Sequence, residues 1–149
     1  MDRLPEAAKW VNSIPCDERA AGTYEGTLGG TSGWIDTSGY DQVTMVVSFG
    51  AIAAGVTPID VELYEADTTG GAGAAIASAK IVSAAGGDED DQIALVNVRT
   101  GGRAAGTRKK YVRPHLVAGG TGNFDCNVHI VLSQAKNVPV VNSPVAVLV

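Results

Sequence analysis

Apolar and polar positions alternate most regularly between Phe124 and Leu132. Phe124, Cys126, Val128, Ile130 and Leu132 fall on one side, Asp125, Asn127 and His129 on the other, with Val131 as the exception. A period of two puts one face of a strand into a core, so Cys126 reads as a small buried hydrophobe rather than a reactive thiol. The same period runs from Gln42 to Phe49, where Val43, Met45, Val47 and Phe49 alternate with Gln42, Thr44, Val46 and Ser48. It recurs at Ile59, Val61 and Leu63, set against Asp60, Glu62 and Tyr64. Ser32 to Phe49 combines a short strand led by Trp34, a turn at Thr37-Ser38-Gly39 and a long apolar strand. It reads as the stretch around which the rest is organised.

Weaker strand patterns cover Ile76 to Ser83 and Ile93 to Val98. Tyr111 to Val117 is a further candidate, but Pro114 removes a ladder donor, which places that strand at an edge or a bulge. Gly119, Gly120 and Gly122 form a turn before the Phe124 strand. Glycine-rich segments at Thr68 to Ala75, Ala84 to Asp91 and Gly101 to Gly106 read as loops. Seven or eight short strands with glycine turns predict an all-β chain, an antiparallel β-sandwich or jelly-roll-like single domain with extended N- and C-terminal segments. The expected divisions are an N-terminal arm at 1–31, a body at 32–134 and an extended tail at 135–149. Within the arm, Pro5 can open a short helix through Trp10 and Val11 that Pro15 would end; an extended arm is the alternative.

Composition sharpens this picture. Hydrophobic residues make up 45% of the 149 positions but aromatics only 5%, so the core must be built from Val, Ile, Leu and Ala. The 19 glycines fit many tight turns better than long helices. A net charge of −5 argues against nucleic acid as the partner. No apolar run is long enough to span a membrane as a helix, and no signal-peptide h-region is visible. Two cysteines, Cys16 and Cys126, are too few for a disulfide framework and point to thiols made in a reducing cytosol.

Candidate chemistry is sparse. Asp88, Glu89, Asp90 and Asp91 form an acidic run without the spacing of an EF-hand loop, and fit a solvated loop tip. Asp125, Asn127 and His129 share a strand face, but a metal site needs a second cluster, and His115 is the other histidine. No Gly-x-Ser-x-Gly elbow or oriented nucleophile occurs, so no catalytic residue, cofactor or metal is expected and the chain reads as a non-enzyme. The basic run Arg108 to Lys110, beside Arg103 and Arg113, would either meet an acidic partner or protect a strand edge. Trp34 reads as a core anchor rather than part of a sugar-binding platform.

Gly33-Trp34-Ile35-Asp36-Thr37-Ser38-Gly39-Tyr40-Asp41 with the strand to Phe49, Val61-Glu62-Leu63-Tyr64-Glu65-Ala66-Asp67 with its Gly/Ala-rich loop, and Lys109-Lys110-Tyr111-Val112-Arg113 together resemble small virion proteins of tailed bacteriophages. Over Ser32 to Ser133 the chain is similar to jelly-roll-type decoration, or cement, proteins of phage heads. The resemblance implies a homotrimer made in the host cytoplasm and placed on the outer capsid surface. There it would bind the major capsid protein, with no nucleic acid, membrane or cofactor involved. Leu4, Trp10, Val11 and Ile14, outside the matched body, become the capsid-contact candidates. The uncharged stretch Val138 to Val149 supplies trimer-interface candidates at Val140, Val141, Val145, Val147 and Leu148. Another virion component (tail, baseplate or adaptor subunit) and a carbohydrate-binding module are the competing classes.

Overall fold

A computed structural model describes residues 8–27, 31–83, 91–99 and 108–135. The chain is all-β, with seven strands: β1 (Lys9–Glu25), β2 (Ile35–Asp36), β3 (Tyr40–Ile52), β4 (Val56–Ala66), β5 (Ala74–Ser83), β6 (Ile93–Arg99) and β7 (Tyr111–Ala135). A three-residue 3-10 turn at Thr31–Gly33 precedes β2. Every ladder among the described residues is antiparallel.

The hub is β7, not the stretch around β3. One side of β7 pairs with β4 through its first half and β3 through its second; the other side pairs with β2 and with β1 along most of its length. The path across the sheet is β5-β4-β7-β3-β6, with β1 and β2 branching from β7. The sheet curls on itself, sandwich-like. Val61 and Leu63 of β4, Leu116 and Ile130 of β7, and Met45 and Val47 of β3 share one apolar cluster.

The sequence divides β7 into two strands with a turn between them; the structure makes one strand of 25 residues that bends. Gly120 and Gly122 adopt φ of 77° and 125°, a region that non-glycine residues enter at a cost. Here that freedom turns a corner without reversing the chain. The Thr121 amide donates to the Gly55 carbonyl at 2.9 Å, so the β3–β4 turn follows the same corner.

Pro114 also departs from its expected place at an edge or bulge. It lies inside the hub strand, opposite Leu63. Its carbonyl accepts from the Gly26 amide at 3.0 Å, so the donor it lacks falls on that same side. There the chain is already leaving the ladder, because the next amide, Thr27, donates to the Ser13 carbonyl at 2.9 Å. No pairing with β4 is lost, which is why a proline is tolerated at the centre of the fold.

The expected arm at 1–31 is corrected in the same way. Lys9–Glu25 is neither helix nor free arm but a strand of the body, paired with β7 from Lys9↔Leu132 to Glu25↔His115. Register shifts at Asn12/Ile14, Ile14/Asp17 and Ala20/Gly22 let β1 follow the bend of β7 and absorb Pro15. Ala135, the expected start of the tail, is the last residue of β7.

Candidate interaction surfaces

Strand pairing sorts the residues singled out in the sequence onto an interior and two outward faces. Val11 and Ile14 point inward and are buried in the main core. They are therefore withdrawn as surface contacts. Trp10, one residue away, points outward beside Val131 and stays 64% exposed. Leu4 lies outside the described residues, as do Val140, Val141, Val145, Val147 and Leu148.

The outward face of β1, β7, β3 and β6 carries rows fixed by register. Trp10, Val131, Thr44 and Asn97 form one row; Asn12, His129, Val46 and Leu95 form the next; Asn127, Ser48 and Ile93 follow. The Asp125/Asn127/His129 row is thus the middle of a mixed face. Its Asn127 Nδ2 lies 3.0 Å from the His129 Nε2. Among the described residues no group of three His, Cys, Asp or Glu is placed to hold a metal. At the β6 margin Ile93 is 69% and Leu95 64% exposed, a burial state the strand pattern at 93–98 did not disclose.

The outward face of β5, β4 and the first half of β7 is charged, and its charges are closed on one another. Lys80 bridges Asp60 and Glu62 at 3.1 and 3.3 Å, and these two carboxylates hold its ammonium pKa above the usual lysine value. Tyr64 stacks on His115 with centroids 4.4 Å apart. Arg113, only 7% exposed, donates to Glu25 Oε1 at 2.8 Å and lies 4.4 Å over the Trp34 ring. Trp34 is buried as expected, but against this guanidinium and outside the main apolar cluster.

The basic run is closed too. Arg108 meets Glu65 at 3.4 Å, Lys109 meets Asp67, and Lys110 meets Asp36 at 3.2 Å. Burial alone would push the Asp36 carboxyl up, but hydrogen bonds from Ser38 and Lys110 outweigh it and hold the pKa below the usual value. Each base is matched inside the chain, so the run offers an acidic partner little net charge. Of the acidic run, only Asp91 is described.

Both cysteines are free thiols, Cys16 exposed and Cys126 buried. Burial pushes the Cys126 thiol from 9.0 up to about 12. Its contribution to stability is therefore complete below pH 9. It is lost as pH rises toward 12, because the unfolded thiol ionises while the folded one keeps its proton. Native protein at pH 8 is expected to react with one equivalent of a thiol reagent, at Cys16, and to release the second only in denaturant. Rapid titration of both thiols in the native state would contradict this burial.

An open depression of about 300 Å³ lies at the β3–β7 corner, lined by Glu18, Ile52, Phe124 and Asp125 among others. Its polar rim is already engaged, with Asn123 donating to Glu18 at 2.9 Å. No helix among the described residues is long and apolar enough to cross a membrane.

No family model matches the chain, and no curated protein matches it. Among solved structures it is similar to a chain from a study entitled "Bacillus endospore appendages form a novel family of disulfide-linked pili". That likeness has 14% identity and a TM-score of 0.43, and covers 91% of this chain and 97% of that one.

Proposed function

We propose that this chain is a structural virion protein that binds the outer surface of a tailed-phage head as a homotrimer and stabilises contacts between major capsid proteins. The resemblance of residues 32–133 to head decoration proteins motivates this reading. The observation that carries it is the contrast between the two outward faces. One closes its charges internally; the other leaves Trp10 exposed on an edge strand beside the half-polar row of Asn12 and His129. A large amphipathic ring projecting from a rigid sheet is the kind of anchor that dominates protein interfaces. Such a subunit acts by mass action: it binds the assembled lattice and shifts the equilibrium away from disassembly.

The test is to add purified protein to phage heads that lack it and to reconstruct the particles. Density on the outer head surface at a stoichiometry set by the lattice is the expected result. Trp10→Ala is expected to weaken head binding at least about tenfold, in the range of an aromatic interface anchor, while leaving the melting temperature unchanged. Density confined to the tail or baseplate, or no particle binding at all, would overturn the reading. Trp10→Ala heads decorated as fully as wild type at limiting protein would remove Trp10 as the anchor.

A further inference from the structure

The outward face of β1, β7, β3 and β6 is set apart by its lack of charge. Its three rows, from the one led by Trp10 to the one ending at Ile93, hold eleven outward positions and no charged side chain, in a chain that is 18% charged. Asp125 bounds the rows at one end and Arg99 at the other. Within the rows, polar groups answer one another. The Thr44 hydroxyl donates to Asn97 Oδ1 at 2.5 Å, and Asn127 meets His129 as described above. The apolar groups Trp10, Ile93 and Leu95 stay largely exposed.

The partner of such a face must match it. A strongly charged surface would give up hydration against these rows and gain no counter-charge, which argues against nucleic acid and anionic lipid. Size narrows the choice further. Rows two residues apart, on strands about 4.8 Å apart, make a patch roughly 20 Å on a side, about 400 Å². A stable pair of proteins needs about 800 Å² from each partner, so a second copy docked here would not stay. A lattice removes the shortfall. When one assembly offers several small patches to a repeating surface, avidity strengthens binding by on the order of 10²–10⁴ without any larger contact.

His129 lies in the middle row and is the one side chain of the three rows that changes charge between pH 5 and 8. Every group facing it is uncharged: Asn12 from β1, Val46 from β3 with Leu95 of β6 beyond it, and Asn127 and Val131 along β7. With the Asn127 amide nitrogen against it, the ring accepts at Nε2, which requires its neutral form. A protonated ring sets donor against donor and puts an unpaired charge at the centre of the contact. We infer that these three rows dock as a unit on an uncharged patch repeated over the head lattice, and that His129 is the group through which acid undoes the contact. This rests on the reading of the chain as a head-bound trimer, and names the chemistry of the capsid surface it meets.

The experiment titrates the full chain onto phage heads that lack it and measures the bound fraction by sedimentation. Affinity is expected to change less than about twofold between about 0.05 and 0.5 M salt, since no charge pair is there to be screened. Leu95→Asp is expected to lose at least about tenfold, whereas the uncharged Leu95→Asn and the opposite-face Lys80→Gln bind within about threefold of wild type; unchanged melting temperatures show that all three fold. From pH 8 to pH 5 wild type is expected to lose at least about tenfold, and His129→Gln to stay level. Steep salt dependence, Leu95→Asp heads as fully decorated as wild type, or a His129→Gln variant that follows wild type down in acid each overturns the inference and leaves head binding standing. Free protein that grows beyond a trimer in light scattering, and stops doing so with Leu95→Asp, would make a second copy the occupant and overturns it too. Absence of binding under every condition refutes the head reading itself, and the inference with it.

Discussion

Gly120→Ala is expected to destabilise the protein by about 3–5 kcal/mol, the range of the most damaging single substitutions. Two independent effects add. At φ 77° an alanine adopts a left-handed conformation that costs about 1–2 kcal/mol. Its Cβ would also be driven onto the Gly55 carbonyl oxygen, and would lie 3.3 Å from the Thr57 nitrogen. Those neighbours are backbone atoms and cannot swing aside. Moving Gly55 would break its hydrogen bond from Thr121 and open the corner that β7 shares with the β3–β4 turn. Gly39→Ala is the matched control, since nothing lies within 4 Å of the added carbon. It is expected to be neutral, or to stabilise by about 0.4–1 kcal/mol through the unfolded state. Chemical denaturation of the two variants checks the contrast. Equal stabilities would show that the bend does not depend on Gly120.

Ile130→Ala is expected to cost about 2–5 kcal/mol and to lower the melting temperature by about 2–4 °C per kcal/mol lost. Ile130 is fully buried on β7, between Val11 of β1 and Met45 of β3. Truncation there leaves a void bounded by three strands that are locked together by backbone pairing, so the walls can relax little. Ile130→Val, which removes one methylene, is expected to cost about 0.5–1.5 kcal/mol. Thermal melts of the pair report whether the core under the hub is as tightly held as the ladders imply. A melting temperature for Ile130→Ala within 1–2 °C of wild type would contradict it.

The elements most legible in the sequence are those whose alternation is nearly unbroken. β3, β4 and the second half of β7 sit where the period-two pattern places them, with Val43, Met45, Val61 and Leu63 inward, while the weaker patterns at 76–83 and 93–98 fall within β5 and β6. β1 was hidden because its three register shifts destroy the period that marks a strand. The continuity of β7 was hidden for a related reason. Pro114 and the glycines at 119, 120 and 122 are signals for ending a strand, and only the surrounding ladders reveal that here they shape one. The surface was less legible than the fold. Arg108, Lys109 and Lys110 look like a free basic patch because their partners, Glu65, Asp67 and Asp36, lie far away along the chain. Trp10 reads as a surface contact from its place outside the matched body. Val11 and Ile14 share that place in the sequence, yet Val11 falls on the opposite face of the strand, and the register shift between Asn12 and Ile14 turns Ile14 inward as well.

Because β7 follows every strand it pairs with, the order of synthesis opposes the order of assembly. Lys9 waits for Leu132, and Tyr40 for Ala135. At the usual pace of about 5–20 residues per second, β1 leaves the ribosome many seconds before its partner exists. Only the β4–β5 hairpin and the β3–β6 pairing are available in the interval. The nascent chain therefore carries Val11 and Ile14 uncovered until β7 has been made. Its contacts are long-range enough to put its folding among the slow, all-β folders of the millisecond-to-second class. In a cell making many copies at once, the interval before β7 arrives is when chaperones decide the yield.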